Sequence, residues 1–309
     1  MDGIAATSAG AMNAAVMASG LLKDGSAGAR VALEAFWRRV ADAALFSPFQ
    51  STPLDAAMHT WNLDWSPSYL FLDMISRVLS PYQVNPAGLN PLRDVLEGHV
   101  DLDGLRAARS PKIFVCATNV RSGDIKVFRN AELSVDALLA SACLPFLYQA
   151  IEIDGEAYWD GGFMGNPPLY PLIQHCACED IVIVQINPIR HEEVPTDARH
   201  ILDRANEISF NATLIRELWA MDLINSILHH LAPDGGRQLK AMRIHMIRNE
   251  SLMAGLGFSS KLNASWDFLV HLRDEGRAAA ERWLLGDGLG LGRRTTFDIA
   301  AYARSRRKP

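Results

Sequence analysis

A serine close to the start of the chain stands in a pattern that can position a nucleophile. Residues 3–14 read GIAATSAGAMNA, and Ser8 separates a short apolar run from a small-residue segment that predicts a helix. A serine on a tight strand-to-helix turn projects its hydroxyl, and its neighbours must be small because a larger Cβ would collide with the backbone. The elbow comprises Ala6, Thr7, Ser8, Ala9 and Gly10. It matches the pattern G-x-S-x-G, except that alanine occupies the first small position.

The helix predicted after Ser8 would add electrostatic help. Its N-terminal N–H groups and the positive end of its dipole point to the serine, where an oxyanion would develop during attack on an ester. The backbone N–H of Ala9, directly after the nucleophile, is the oxyanion donor that the pattern identifies. Small-residue turns before helices are also common structural features, so the elbow alone does not establish a catalytic site.

A carboxylate that can act as a base follows a β-type run later in the chain. Asp160 comes after Ala157-Tyr158-Trp159 and precedes Gly161 and Gly162. The two glycines allow a tight loop and a close approach of the backbone. A single Asp-Gly pair is more often a surface turn, so the interpretation of Asp160 as a base depends on its combination with Ser8.

Four stretches together resemble the bacterial-type patatin-like phospholipases. They are GIAATSAGAMNA, KIFVCATNVRSGDIKVF, LLASACLPFLYQAIEIDGEAYWDGGFMGNPPLYPLI and DIVIVQINP, in family order from residue 3 to about residue 188. The resemblance implies a serine–aspartate dyad with Ser8 as nucleophile and Asp160 as general base, and Gly161 and Gly162 complete its D-G-G motif. It also implies a three-layer α/β core with a largely parallel central sheet and helices on both faces.

The activity implied by this resemblance is hydrolysis of lipid acyl esters by a phospholipase or esterase. Asp160 would take the Ser8 proton as the hydroxyl attacks the ester carbonyl, and water would then cleave the acyl-enzyme. The mechanism requires no histidine, no metal and no organic cofactor. A carboxylate is a weak base near neutral pH, so burial must raise its pKa or positioning must compensate.

The chain departs from the family pattern at two places. Ala6 stands where the usual elbow has glycine, and one methyl group there is a small change. The family also begins with a strand and a Gly-rich loop, G-G-G-x-[RK]-G, that supplies oxyanion donors, and this strand and loop have no counterpart before Met1. We expect the native protein to begin upstream of Met1. The alternative is a catalytically impaired lipid-binding or interaction protein.

The pattern of elements predicts a single domain over residues 1–309. Short β-rich runs alternate with helical stretches, which indicates an α/β layer fold, and no linker or repeat divides the chain. Residues 1–188 form the recognisable catalytic core, and residues 189–309 form a helical C-terminal part of the same domain. We expect helices over 9–22, 29–44, 134–142 and 214–228, and strands over 4–6, 112–120, 125–128, 180–186 and 242–247, with 180–186 as a buried strand.

Composition indicates which classes of partner and which cellular compartment to expect. The formal net charge of −5 gives no reason to expect nucleic acid, because phosphate binding needs a concentrated basic face. Four irregularly placed cysteines favour a reducing, cytoplasmic compartment. No apolar run reaches the roughly 18 residues of a membrane span. The expected partner is therefore a lipid or other acyl ester, with transient contact to a membrane surface.

Several other features admit a functional interpretation beside a structural one. A Ser-Asp-His triad of α/β-hydrolase type would use one of four histidines, which are His175, His191, His245 and His271. The segment His175-Cys176-Ala177-Cys178 contains metal-ligand types, but its spacing favours idle thiols. Trp61, Trp65 and Tyr69 share a helical face that fits either a core or an acyl site. The basic tail 304–308 fits a solvated terminus or a contact with anionic lipid.

Overall fold

The fold is known from a computed structural model that describes residues 1–45, 61–76, 78–189, 191, 194–230 and 240–299. The strands are β1 (Gly3–Thr7), β2 (Lys112–Asn119), β3 (Ile125–Arg129), β4 (Ile151–Ile153), β5 (Glu156–Asp160), β6 (Asp180–Val184) and β7 (Arg243–Ile247). The α-helices are α1 (Ala9–Ala44), α2 (Pro67–Ser76), α3 (Pro81–Val84), α4 (Leu92–His99), α5 (Leu102–Ala107), α6 (Val135–Ser141), α7 (Tyr170–His175), α8 (Ala198–His230), α9 (Glu250–Met253) and α10 (Trp266–Leu285). Short 3₁₀ helices cover Asn130–Glu132, Gly161–Phe163, Phe258–Leu262 and Asp287–Gly290.

Strand β2 organises the main sheet by using its two halves for different neighbours. Its first half pairs in parallel with β1, where Thr7 lies opposite Cys116. Its second half pairs antiparallel with β5, where Asp160 lies opposite Ala117. Strand β3 pairs with residues from both halves of β2. It therefore occupies one edge of β2, while β1 and β5 share the other edge. The C-terminal ends of β1 and β5 therefore meet beside the centre of β2.

The remaining pairings follow from the lengths of the connections. The predicted hairpin at residues 121–124 joins β2 to β3, and β4 and β5 form a second antiparallel hairpin. Parallel pairing requires a long crossover, and it is found where helices separate the strands, in the pairs β1–β2 and β6–β7. The α/β class predicted from the sequence is confirmed, with parallel pairs at the crossovers and antiparallel pairs at the hairpins.

Both faces of the main sheet are covered. Ile113, Val115 and Ala117 point to one face of β2, where they join a buried cluster with residues of α1, α4 and α6. The alternate side chains point to the opposite face, where the Phe114 ring stacks on His175 at the end of α7, at 5.8 Å between centroids. The sheet is thus the middle layer between helices, as the resemblance implies.

Helix α1 contains the two helices that the sequence predicts. They are separated by non-helical backbone at Asp24 and Gly25, and Gly25 has a φ of 52°. The chain reverses so sharply there that a Cβ on Gly20 would lie 2.5 Å from the carbonyl oxygen of Gly28. The predicted apolar face of the second helix is in the core, where Phe36 is fully buried. The first helix begins directly after Ser8 and carries the elbow.

A second buried cluster joins the C-terminal half of the chain to the first half. Leu214 and Leu218 of α8 pack with Ile181 and Ile183 of β6, and Leu169 from the family-like region belongs to the same cluster. The prediction that residues 180–186 form a buried strand is wrong for one face. Val182 and Val184 are 39% and 66% exposed, because within the described residues β6 carries packing elements on one side only.

Candidate active site

Ser8 occupies a strained turn between β1 and α1. Its φ of 57° and ψ of −131° lie in a region that non-glycine residues rarely adopt, at a cost of about 1–3 kcal/mol. Hydrogen bonds hold this conformation. The Ser8 N–H donates to the Oγ of Ser141 at 3.0 Å, and the Ser8 carbonyl accepts from the N–H of Ala11 at 2.9 Å. Strand β1 is anchored in turn by the Thr7 hydroxyl, which donates to the carbonyl of Gly165 at 2.7 Å.

The small residues around Ser8 fit the turn, and the substitution of alanine for the usual glycine is accommodated. Ala6 is buried in the main core. A Cβ on Gly10 would lie 3.8 Å from the Ala6 Cβ, which is an ordinary contact distance. The methyl group of Ala6 therefore lies far enough from the first turn of α1 to be accommodated without a clash.

Asp160 lies at the end of β5, beside the end of β1. Its N–H donates to the carbonyl of Cys143 at 2.8 Å, and its carbonyl accepts from the Thr118 hydroxyl at 2.8 Å. The residue is 0% exposed. Its Oδ1 accepts a hydrogen bond from the N–H of Gly162 at 2.7 Å, whereas Oδ2 is buried without a hydrogen bond of normal geometry in the described part of the chain.

Burial makes the Asp160 carboxylate a stronger base than an exposed aspartate. Loss of hydration raises its pKa from 3.8 to about 6. The Gly162 N–H, the Ser8 hydroxyl and the positive charge of Lys261 each lower that pKa by stabilising the ionised form. The Ser8 hydroxyl therefore faces the carboxylate, at a contact too long or too poorly aligned for an ordinary hydrogen bond. Catalytic contacts commonly have this form before substrate binds.

Both glycines after Asp160 are required by close packing. A Cβ on Gly161 would lie 2.2 Å from the carbonyl oxygen of Cys116 on β2. A Cβ on Gly162 would lie 2.2 Å from the Cε1 atom of Phe210 on α8. The D-G-G motif thus keeps the Asp160 loop against β2 on one side and against an aromatic ring on the other.

Backbone donors are available where an oxyanion would form. Ala9 and Gly10 begin α1, and the N–H groups of a first helical turn have no partner within the helix. Within the part of the chain that the structure describes, neither N–H donates to a protein acceptor, and both residues are exposed. The helix therefore presents free donors and the positive end of its dipole beside Ser8.

Sequence reasoning missed two groups of supporting residues. Ser141 and Cys143 bond to the backbone of Ser8 and of Asp160, and both lie in the segment LLASACLP that already carried the family resemblance. Phe210 and Lys261 reach Gly162 and Asp160 from the C-terminal part. No motif surrounds either of these two residues, so only the fold could identify them.

The four histidines considered for a triad make their contacts elsewhere. His245 is fully buried and bonds through its two ring nitrogens to Asp180 and Thr296, at 3.0 and 2.8 Å. His175 stacks on Phe114, His191 lies 2.8 Å from a carboxylate oxygen of Glu207, and His271 stacks on Trp61. These contacts give the triad interpretation no support.

The other sequence features take structural positions. Cys176 is buried while Cys178 is exposed. The described residues contain no group of three or more His, Cys, Asp or Glu that could hold a metal ion. The three residues of the predicted aromatic face differ in their surroundings. Trp61 stacks on Phe268 and Tyr69 is buried, whereas Trp65 is exposed. The basic tail 304–308 lies outside the described residues.

These observations define an α/β protein with a serine elbow at the end of one strand and a buried carboxylate at the end of another. A family model described as Patatin-like phospholipase matches residues 1–173, which is more than half of the 309 residues. The chain therefore belongs to the patatin-like phospholipase family, a family of lipid acyl hydrolases. No curated protein matches the chain significantly. In the part of the chain that is described, no helix has the length and apolar character needed to cross a membrane.

Proposed function

We propose that this protein is a serine-dependent lipid acyl hydrolase in which Ser8 is the nucleophile and Asp160 is the general base. The observation that carries the proposal is the meeting of β1 and β5 beside β2, which brings a strained serine next to a buried carboxylate. A strained backbone conformation lowers the stability of the folded protein, and such strain concentrates at functional sites.

In each of the two halves of the reaction, Asp160 accepts one proton and returns it. As the Ser8 oxygen attacks the ester carbonyl, the carboxylate accepts the hydroxyl proton, and the free N–H groups of Ala9 and Gly10 stabilise the oxyanion. Collapse of the tetrahedral intermediate breaks the ester C–O bond, and Asp160 returns the proton to the leaving alcohol. Water then attacks the acyl-enzyme and gives a proton to Asp160. As the bond between the acyl carbon and the Ser8 oxygen breaks, Asp160 returns this proton to Ser8, and the fatty acid is released.

We infer that residues 1–309 form one domain, because elements from the C-terminal part complete the core of the first part. Phe210 of α8 packs on Gly162, and its carbonyl accepts from the Asn166 side chain at 3.2 Å. We also infer a cytoplasmic location. All four cysteines are free, although three of them are buried, and this is the usual state in a reducing compartment.

The lipid substrate is reached, in our proposal, through transient contact with a membrane surface. Side chains on and beside α2 are apolar and exposed, and they are Trp65, Leu70, Phe71 and Met74. Exposed apolar groups of this density favour an interface with lipid. Phe71 is 58% exposed, so Phe71→Ser should weaken co-sedimentation with phosphatidylcholine vesicles without changing hydrolysis of a soluble ester. Equal vesicle binding by the variant would contradict this role of α2.

The catalytic assignment is tested by covalent labelling. A fluorophosphonate should label the purified full chain on Ser8, and peptide mass analysis should locate the adduct there. Ser8→Ala should abolish both labelling and ester hydrolysis, whereas Ser26→Ala, at an exposed serine of α1, should change neither. Unchanged labelling of the Ser8→Ala variant would overturn the assignment.

A lipid-binding protein without turnover is the second candidate. The observation in its favour is that, within the described ranges, the oxyanion donors identified beside Ser8 belong to one exposed helical turn. Removal of one oxyanion donor costs roughly 10²–10³ in turnover, so an incomplete set would slow the reaction severely. Tight binding of lipid vesicles by a chain that does not react with a fluorophosphonate would identify this second function.

A further inference from the structure

An aromatic ring from the C-terminal part of the chain lies against the loop that carries Asp160. Phe210 belongs to α8, and a Cβ on Gly162 would lie 2.2 Å from its Cε1 atom and 2.3 Å from its Cδ1 atom. The same Cβ would lie 3.0 Å from Oδ1 of Asp160. The edge of the ring and the carboxylate oxygen are therefore neighbours across Gly162.

Phe210 also contacts the loop at two further residues. Its ring centroid lies 5.2 Å from that of Phe163, and its carbonyl oxygen accepts a hydrogen bond from the Asn166 side chain at 3.2 Å. The other side of the loop meets β2, because a Cβ on Gly161 would lie 2.2 Å from the carbonyl oxygen of Cys116. The loop is thus held between a strand of the main sheet and an aromatic residue of α8.

The backbone around Phe210 is fixed by its own contacts. The buried side chain of Asn211 donates to the carbonyl of Pro188 at 3.0 Å. One turn further along α8, Leu214 is buried and belongs to the same cluster as Leu169, which follows the catalytic loop in the sequence. These contacts on α8 hold the ring in a defined position relative to the loop.

The packing acts on the base through the Gly162 peptide. The Gly162 N–H donates to Oδ1 of Asp160 at 2.7 Å, and this bond orients the carboxylate. Because the Phe210 ring blocks movement of Gly162 toward α8, the donor stays directed at Oδ1, and Oδ2 is left to face the Ser8 hydroxyl. A displacement of about 1 Å in a catalytic group can cost about 10²-fold in rate, so this support matters for the reaction.

The ring also limits the hydration of the carboxylate. An apolar ring beside a carboxylate disfavours the ionised form, because it displaces water and offers no hydrogen bond in return. The titratable and charged side chains that face Asp160 come from β2, from the segment after α6 and from the 3₁₀ helix Phe258–Leu262. Burial raises the pKa of the Cys116 and Cys143 thiols, which stay neutral near pH 7, and Lys261 contributes a positive charge. These three groups are the same whichever residue stands at position 210.

We propose that Phe210 is a positioning residue for the dyad, whose ring holds the Gly162 peptide against Asp160 and keeps water away from the carboxylate. This inference rests on the proposed function, because it concerns the base of the same site. It assigns to the C-terminal part a role in the reaction that goes beyond completing the core. It predicts that removal of the ring changes the pH dependence of Ser8 reactivity as well as its rate.

The test measures the second-order rate at which a fluorophosphonate labels Ser8 in the purified full chain, from pH 4.5 to pH 8. Phe210→Ala removes the ring. Phe210→Met keeps an apolar side chain that can fill the space, whereas Phe210→Gln has a similar length but places a polar amide beside the carboxylate. Phe268→Ala is the matched control, because Phe268 is a buried ring of α10 whose centroid also lies 5.2 Å from a neighbouring ring, that of Trp61. Circular dichroism and urea unfolding check the folding of each variant.

The wild-type profile should have its midpoint near the pKa of Asp160, at about pH 6. Phe210→Ala should move the midpoint down by about one pH unit or more, because water regains access to the carboxylate. It should also lower the labelling rate above pH 7 by about 10- to 100-fold, because the Gly162 peptide is no longer held.

The other variants separate this role from a general effect on the fold. Phe210→Met should keep the wild-type midpoint and stay within about threefold of the wild-type rate. Phe268→Ala should lose stability but also keep the wild-type midpoint. If Phe210→Ala does not fold, Phe210→Gln should show the same downward shift of the midpoint, because its amide can stabilise the ionised carboxylate.

The possible failures are distinguishable. If no fluorophosphonate labels Ser8 in the wild-type protein, the proposed function is wrong and the inference falls with it. If Ser8 is labelled and Asp160→Asn slows the labelling, the proposed function stands. The inference about Phe210 is then overturned by an unchanged midpoint in Phe210→Ala and Phe210→Gln. An equal shift in Phe268→Ala, or a shift that Phe210→Met shares with Phe210→Gln, would also overturn it.

Discussion

The raised pKa of Asp160 predicts that the reactivity of Ser8 falls on acidification through about pH 6. The base must be ionised to accept the serine proton, so the reactive fraction follows the ionised fraction of Asp160. With a pKa of about 6, roughly nine tenths of this carboxylate is ionised at pH 7 and roughly one tenth at pH 5. The labelling rate should therefore drop about tenfold between these two pH values.

An ordinary aspartate would give a different curve. At its usual pKa of 3.8, the carboxylate would remain more than about nine tenths ionised at pH 5, and labelling would be nearly constant from pH 5 to pH 7. The second-order rate of fluorophosphonate labelling is the suitable measurement, because it reports the free enzyme and needs no lipid interface. The protein should be shown to stay folded across the range by circular dichroism.

Asp160→Asn is the matched variant for this measurement. It should label about 10²- to 10⁴-fold more slowly, the range for loss of a general base, and the remaining rate should not depend on pH near 6. A flat wild-type profile between pH 5 and pH 7 would refute the argument from burial. A pH dependence that persists in Asp160→Asn would show that another group is the base.

Three further predictions concern stability and the supporting residues. Because the folded pKa of Asp160 is raised, its contribution to stability is largest below pH 3.8 and is lost as pH rises through about 6. As the pH rises from 4 to 7, the unfolding free energy of the wild-type protein should therefore decline relative to that of Asp160→Asn, by up to about 3 kcal/mol. Urea titrations at each pH measure this difference, and parallel curves for the two proteins would contradict the prediction. Gly161→Ala places a Cβ 2.2 Å from a backbone carbonyl oxygen and should lower the unfolding free energy by about 1–3 kcal/mol. The control Gly98→Ala should not lower it, because no atom lies within 4 Å of the new Cβ. Equal effects of the two substitutions would refute the packing argument. Ser141→Ala removes the acceptor for the Ser8 N–H, so the unfolding free energy from thermal unfolding should fall by about 1 kcal/mol. Fluorophosphonate labelling of Ser8 should also slow severalfold. Unchanged labelling would show that this hydrogen bond does not affect the reactivity of Ser8.

The sequence predicted those parts of the site that depend on local backbone geometry. Ser8 needs small neighbours, and the residues after Asp160 must be glycines because a Cβ there would lie 2.2 Å from a neighbouring atom, so the local sequence carries both requirements. The hairpin at residues 121–124 and the interruption of α1 at Gly25 were predictable for the same reason, since each depends on a glycine with positive φ. By contrast, the exposure of Val182 and Val184 depends on what packs against β6, and an apolar run looks the same with one or two covered faces.

The residues that surround the site required the fold because their roles arise from contacts between distant segments. Phe210 is one of twelve phenylalanines, and nothing in its sequence neighbourhood marks it. It packs beside the Asp160 loop because Gly162 has no side chain, since a Cβ there would lie 2.2 Å from the Phe210 ring. The glycine that permits the catalytic loop therefore also determines how closely the C-terminal part approaches it. A side chain at position 162 would require either the Phe210 ring or the Asp160 loop to shift. The second glycine of the D-G-G motif is therefore a point of close contact between the loop that carries Asp160 and the C-terminal part of the chain.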